Sequence, residues 1–560
     1  MKKNKKKLGI IAGVILVVLL VAAIFPFVLP WSYKDVQHPN MNLKPEFDLS
    51  SMFLKYGTGS VDGTRGIKFK NYTVANMYFG LPVTTVSAGA FENNTNLESV
   101  TLPENVMYVS ANAFNGCSAL KTISLPSTLV TISSTAFNGC TSLQYHEYNN
   151  ALYLGNESNP YLALISIINN KVTDAVIHEG TLVIAEKALN KCTNLESIVF
   201  EGSVVPVYAY NELASLESVV IKGAATEIPN GAFNGCVALK EIEIPNTVTT
   251  IGNAAFSGCG ALSIIDLPDS LVSIGNSAFN KCASLIDMEL PETLTSIGNS
   301  AFAGCTKLES INIPEAVTYI GDSAFATCSS LGSVNIPSSV TAINNYAFQG
   351  CSSLVSVEIP DSVTKIGLSA FAGCSSLESV RLSQNVNNIY SLAFSQCKSL
   401  KSIDIPDSVK IIADYAFEGC SSLISVSLSK YVERLGSGIF HSCGSLESIN
   451  VDTENANYSS VDGNLYSKDG KTLLQYAGGN DGIIFYVPET VTTIDNSAFR
   501  GCKTLMFVFI PESVQTIKAS AFFGCAKELQ IYASVITQPS GWDKSWNPGK
   551  LTVIWGFSAN

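Results

Sequence analysis

Fifteen cysteines and four histidines are the groups in this 560-residue sequence that could bridge, ligate a metal or act as nucleophile and base. The cysteines are regularly spaced: Cys236, Cys259, Cys282, Cys305, Cys328, Cys351, Cys374, Cys397, Cys420 and Cys443 each lie 23 residues apart, and Cys117–Cys140 and Cys502–Cys525 keep the same step. An odd total argues against complete disulfide pairing. If each step is one turn of a stack, neighbouring cysteines come within bridging distance, but their Cβ vectors run parallel rather than toward each other. Buried free thiols, packed as small apolar groups, are the favoured state, with disulfides between neighbours as the alternative. No Cys-x-x-Cys pair occurs, so no metal site is assigned. His38, His146, His178 and His441 form no His-Glu-x-x-His unit, and no Gly-x-Ser-x-Gly elbow is present. Gly470-Lys471-Thr472 lacks the upstream glycine of a phosphate loop, and Ser118 to Lys121 lacks the partners of a Ser-x-x-Lys enzyme. His178-Glu179 is one possible acid/base pair, read more simply as part of a solvated loop. No catalytic residue and no cofactor are therefore implied, and the expectation is a protein that is not an enzyme.

What places these cysteines is a repeat. One copy reads Leu308, Ile311, Ile313, Pro314, Val317, Ile320, Ala324, Phe325, Cys328, and two further copies without cysteine, around Phe91 and Tyr210, bring the total to about seventeen. Ser310-Ile311-Asn312-Ile313 alternates polar and apolar, as a short strand with one buried face must. Pro314 cannot donate to the next rung and ends the strand. One coil is too small to hold its own core, so it must stack its Leu, Ile, Phe and Cys on the same residues of its neighbours, and the end coils need caps. At about 4.8 Å per rung, seventeen or more coils make a rod or arc on the order of 80 Å long.

The unit Leu-x-x-Ile-x-Ile-Pro-x-x-Val-x-x-Ile-x-x-x-Ala-Phe-x-x-Cys closely resembles the BspA-like, or Treponema-type, leucine-rich repeat over roughly residues 80 to 530. The resemblance implies a curved solenoid with short parallel strands on a microbial surface. It also implies adhesion to host matrix proteins or other cells, without naming a ligand.

Two gaps break the period. Cys140 to Cys192 spans 52 residues and Cys443 to Cys502 spans 59. The surplus near residues 146–180 holds two apolar runs about a polar turn. The surplus near 452–486 holds Asp462-Gly463 and Asp469-Gly470 beside Leu465-Tyr466 and Leu473-Leu474, so both read as hairpin inserts. They either pad the array or present ligand-binding loops. The solenoid is placed at residues 76–530. Residues 531–560, with Trp542, Trp546 and Trp555, are read as a C-terminal cap, the alternative being an aromatic contact for carbohydrate or peptide.

Lys2, Lys3, Lys5, Lys6 and Lys7 precede Leu8 to Leu29, 22 residues without a charge and long enough to cross a bilayer. Residues 1–30 are thus a transmembrane anchor, or a signal peptide cut after Ala23; the anchor is favoured because apolar residues continue past that point. Either fate puts the body outside the cell, with residues 31–75 as spacer and N-terminal cap. The net charge is −12. With five positive charges confined to the terminus, the rest of the chain has no general attraction for nucleic acid.

The remaining candidate surface is the outward side of the strands. Between the two apolar residues of each strand the sequence places Glu243, Asp266, Glu289, Asn312, Asn335, Glu358, Arg381, Asp404, Ser427 and Asn450. Ser310, Ser333, Ser356, Ser379, Ser402, Ser425 and Ser448 form a column beside them. This acidic and hydroxyl ladder is the predicted contact for a protein or glycan ligand, a basic or polar partner being favoured. The alternatives are a solvated face on a passive coat or spacer, and an enzyme with its site in an insert.

Overall fold

The computed structural model describes residues 71–73, 77–78, 81–82, 84–207 and 212–558. The lysine cluster, the apolar segment 8–29 and most of the 31–75 spacer lie outside the described residues. Among the described residues no helix is long and apolar enough to cross a membrane. The described residues fall into two compact units, those up to Asn170 with Gly180–Lys191, and Lys171–Glu179 with those from Cys192 onward.

Each coil has three sides. The front carries a strand such as Ser310–Asn312, in parallel register with Ser333–Asn335 of the next coil. Proline then closes a tight turn, the Val317 N–H donating to the Pro314 carbonyl at 3.0 Å. The rear carries a two-residue strand. Glu227–Ile228, Thr250–Ile251, Ser273–Ile274, Ser296–Ile297 and Tyr319–Ile320 pair in parallel, with every isoleucine buried. The third side is the Ala-Phe-x-x-Cys turn, where in most coils the Phe N–H donates to the alanine carbonyl of the following coil, as from Phe233 to Ala255 at 2.8 Å. The residue before the cysteine takes a left-handed backbone, which is why glycine recurs there (Gly304, φ +79°).

Stacking repeats the core once per coil. Nine successive ring contacts from Phe233 to Phe440 have centroids 5.3 to 5.8 Å apart and planes within 14° of parallel. Polar ladders run beside the apolar ones. The side-chain oxygens of Asn230, Asn253, Asn276, Asn299, Asp322 and Asn345 each accept the backbone N–H of the equivalent residue one coil on. The turns are thereby held by side chains where they lack sheet partners.

In the first unit, front strands Asn71–Thr73, Ser99–Thr101 and Thr122–Ser124 are parallel, and Phe91, Phe114 and Phe137 stack. Its insert folds as His146–Tyr148, Ala151–Leu154 and Ala163–Ile167, antiparallel neighbours in that order. Ala163–Ile167 then pairs in parallel with Val183–Ile184. The second unit repeats this device: Tyr458–Val461, Asn464–Ser467 and Thr472–Gln475 are antiparallel, and Thr472–Gln475 pairs in parallel with Thr493–Ile494. Neither insert is only a hairpin leaving the solenoid, because its last strand is taken back into the rear ladder. Tyr476 even stands in the phenylalanine column, its ring 5.4 Å from Phe499 and its N–H on the Ala498 carbonyl.

The C-terminal segment continues the stack with larger residues. Trp542 bridges Ile517 and donates its indole N–H to the Val514 carbonyl at 3.2 Å. Trp546 meets Phe522 edge-on, and Thr552–Trp555 pairs in parallel with Gln530–Ala533. Trp542 and Trp546 are 3% and 4% exposed, so these two rings are packed inside the last coil and are not open to a ligand.

Candidate functional site: the strand face

The alternation read from the sequence sets the front face directly. Ile242, Ile265, Met288, Ile311, Val357, Val380 and Ile403 are buried, while Glu243, Asp266, Glu289, Asn312, Asn335, Glu358, Arg381 and Asp404 are exposed. Where strands are paired, the columns are in register: Asn312 with Asn335, Glu358 with Arg381, Ser310 with Ser333, and Ser402 with Ser425 and Ser448. Arg381 is committed to its neighbours, 3.3 Å from Glu358 and 3.7 Å from Asp361. Glu243, Asp266, Glu289 and Asp404 make no ion pair among the described residues, so their carboxylates face solvent uncompensated.

Asp266 and Glu289 do not lie on regular strands. The front ladder stops after Glu241–Glu243 and resumes at Ser310–Asn312, while the rear ladder runs through the same coils unbroken. Glu241, Glu243, Asp266, Asp287 and Glu289 put five carboxylates on three successive coils, and like charges in register oppose close pairing. Asp287 also captures a rung donor, its Oδ1 accepting the Met288 N–H at 2.8 Å.

Sequence reasoning missed the far end of this face. Ile484–Tyr486, Phe507–Ile510 and Gln530–Ala533 are parallel front strands whose outward positions hold Tyr486, Phe509 and Tyr532 instead of acids and hydroxyls. The Tyr486 and Phe509 rings lie 4.6 Å apart, those of Phe509 and Tyr532 4.8 Å apart, and Phe557 packs beside both of the latter. Tyr486 is 63% exposed. The signal was present, an aromatic at the outward position of three strands in a row, but the 59-residue gap interrupts the count that would have aligned them.

The chemistry-bearing residues stay apart. All fifteen cysteines are free and buried. From Cys259 to Cys443 each thiol donates to the carbonyl of the phenylalanine 26 residues earlier, at 3.2 Å. Burial pushes most of the thiols up, Cys140 to about 11 and Cys236 to about 12, which leaves almost no thiolate on them at neutral pH; Cys525 departs from this, held below the usual thiol value by the hydrogen bond it shares with Cys502. Among the described residues no group of three or more His, Cys, Asp or Glu is arranged to hold a metal ion. His178 and Glu179 follow the strand Asp174–Ile177, half-buried and exposed respectively, and His146 is exposed on the first insert. His441 is buried in the turn column beneath the Glu418–Arg500 pair.

Stacked coils of about 23 residues with two parallel ladders and an inward Phe–Cys turn define a leucine-rich-repeat solenoid. The chain belongs to the BspA-type leucine-rich repeat family, whose model matches residues 67–168, 165–239, 226–355, 341–468 and 483–538. Residues 4–45 also match a model of the N-terminal transmembrane domain of oligopeptide transport permease C. No curated protein matches. Solved structures similar to this chain include a leucine-rich repeat protein of Bacteroides ovatus, 29% identical over 65% of this chain and 88% of that one, TM-score 0.43. A leucine-rich cell surface protein of Faecalibacterium prausnitzii is 23% identical over 74% and 99% of the two chains, TM-score 0.39. The leucine-rich repeat protein of T. pallidum is 25% identical over 42% and 91%, TM-score 0.26. The family assignment rests on the repeat itself.

Proposed function

We propose that this chain is a non-enzymatic surface protein that holds a partner non-covalently against the front face of its solenoid. The observation that carries this reading is the set of exposed carboxylates without a cation, Glu243, Asp266, Glu289 and Asp404, on a rigid frame. A basic partner would find complementary charge there. The Tyr486–Phe509–Tyr532 rung offers the aromatic surface that protein interfaces favour at their centres. On this reading residues 8–29 engage the membrane as anchor or signal segment, the body stands outside the cell, and the partner is a matrix protein, another cell or an envelope polymer.

The test is binding of the purified chain to arrays of matrix proteins, glycans and whole cells at low and high salt. Saturable binding that weakens with salt is expected, together with a loss of about tenfold or more when Glu243, Asp266 and Glu289 are all changed to Lys. Binding that ignores this reversal would remove the acidic face from the site. No saturable binding to any target would leave a passive coat.

A further inference from the structure

We infer that the turn side of the second unit carries a separate binding site, a cleft for an oxyanion group (phosphate, sulfate or carboxylate) built around Arg500 and Lys503. The cleft has a volume of about 270 Å³ and is walled by these two cations, Ser421, Ser442 and three glycines. It opens where the stack of the second unit skips sequence. Gly501 packs directly on Ser442, 59 residues earlier, and a Cβ built there would stand 3.1 Å from the Ser442 Cα. Gly444 and Gly524 have nothing within 4 Å of where a side chain would begin, which keeps the cleft open.

Both cations are oriented and keep donors to spare. The Arg500 guanidinium lies 5.0 Å over the Phe523 ring and reaches Glu418 with Nη2 at 3.5 Å, which uses one of its five N–H groups. Lys503 Nζ donates to the Gly524 carbonyl at 2.6 Å, which uses one of three. Glu418 is not part of the cleft wall, so it offsets one positive charge without filling the space. An oxyanion can accept from a guanidinium fork and an ammonium together, the geometry that makes charge-assisted hydrogen bonds strong.

The sequence marks the same coil. After the phenylalanine, other coils place Asn115, Asn138, Asn234, Ser257, Ala303 or similar neutral or acidic residues, and after the cysteine mostly serine, threonine, glycine or alanine. Only Phe499-Arg500-Gly501-Cys502-Lys503 puts cations at both positions, in a chain of net charge −12. The cleft lies on the turn side and does not depend on the front face being a binding surface.

The full chain is titrated by calorimetry with inorganic phosphate, sulfate and galacturonate separately, as wild type, K503Q, R500Q and, as a control on an exposed pair elsewhere, K240Q. Saturable binding of at least one probe is expected, weakened about tenfold or more by K503Q and by R500Q and unchanged by K240Q. The preferred probe identifies which anionic group the site takes. Lys503 is exposed, so K503Q keeps the fold, which an unchanged melting curve verifies even if R500Q loosens the Glu418 contact. Saturation by none of the probes, or K503Q binding as tightly as wild type, overturns the site.

Discussion

Phe325 meets its equivalents on both neighbouring coils, Phe302 at 5.3 Å and Phe348 at 5.4 Å, and is wholly buried. Replacing it by alanine removes two ring contacts and leaves a cavity in a frame that cannot collapse along its axis. The expected loss is about 3 to 5 kcal/mol, read by denaturant unfolding of Phe325→Ala against wild type. His441 acts through charge. It is 1% exposed, its ring is edge-on to Tyr415, and neither ring nitrogen makes a full hydrogen bond, the Asn496 backbone compensating only weakly. Burial, with Arg500 beside it, lowers it from 6.5 to about 4. The unfolded chain therefore takes up a proton below pH 6.5 that the folded chain refuses until about pH 4. Stability from this group is complete above 6.5 and is lost progressively between those limits, by about 3 kcal/mol in all. The difference in unfolding free energy between wild type and His441→Leu, measured at pH 7.5 and pH 4, should shift by that amount, while carboxylate contributions common to both cancel.

At the scale of elements, the inserts show how a longer segment joins a periodic stack. Asn455 fixes the second one: its amide donates to the Ser429 and Val432 carbonyls at 2.9 and 3.1 Å, and its carbonyl accepts the N–H groups of Asn457 and Tyr458, both at 2.9 Å. It is fully buried, so Asn455→Ala leaves several buried groups unpaired and should cost about 3 kcal/mol. Hydrogen exchange should report this first in Tyr458–Val461 and Asn464–Ser467, ahead of the coils around Phe325. The coils themselves were legible because one rule, apolar residues at fixed offsets ended by proline, is written many times over. The inserts were legible only as surplus length with turn pairs. That Thr472–Gln475 and Ala163–Ile167 rejoin the rear ladder was not, because parallel pairing with Thr493–Ile494 and Val183–Ile184 is a long-range choice that local alternation does not record.

For the whole molecule, the front face was legible as a set of outward residues but not as a surface. The column positions followed from alternation, whereas the lapse of the ladder at Asp266 and Glu289 depends on charges that meet only after stacking. The aromatic rung begins within the second gap and the Arg500–Lys503 cleft straddles it, where counting by 23 fails and only the fold restores the register. The tryptophans broke the repeat pattern in the sequence, and in the structure two of them take part in packing: Trp542 and Trp546 fill isoleucine and phenylalanine places beside Ile517 and Phe522.

One consequence of the rung pattern is mechanical. Within the second unit the ladders join each coil only to its immediate neighbours, with no disulfide to bypass a coil. A pulling force on the chain ends therefore loads these ladders in series and peels the end coil first. Stretched in an optical trap, the chain should lengthen in a train of similar small steps, each releasing one period of 23 residues, or about 80 Å of contour. A larger step is expected where the 59-residue stretch from Cys443 to Cys502 gives way. A single rupture releasing several hundred residues at once would contradict this, whereas stepwise yielding would make the array a tether that lengthens under load before it fails.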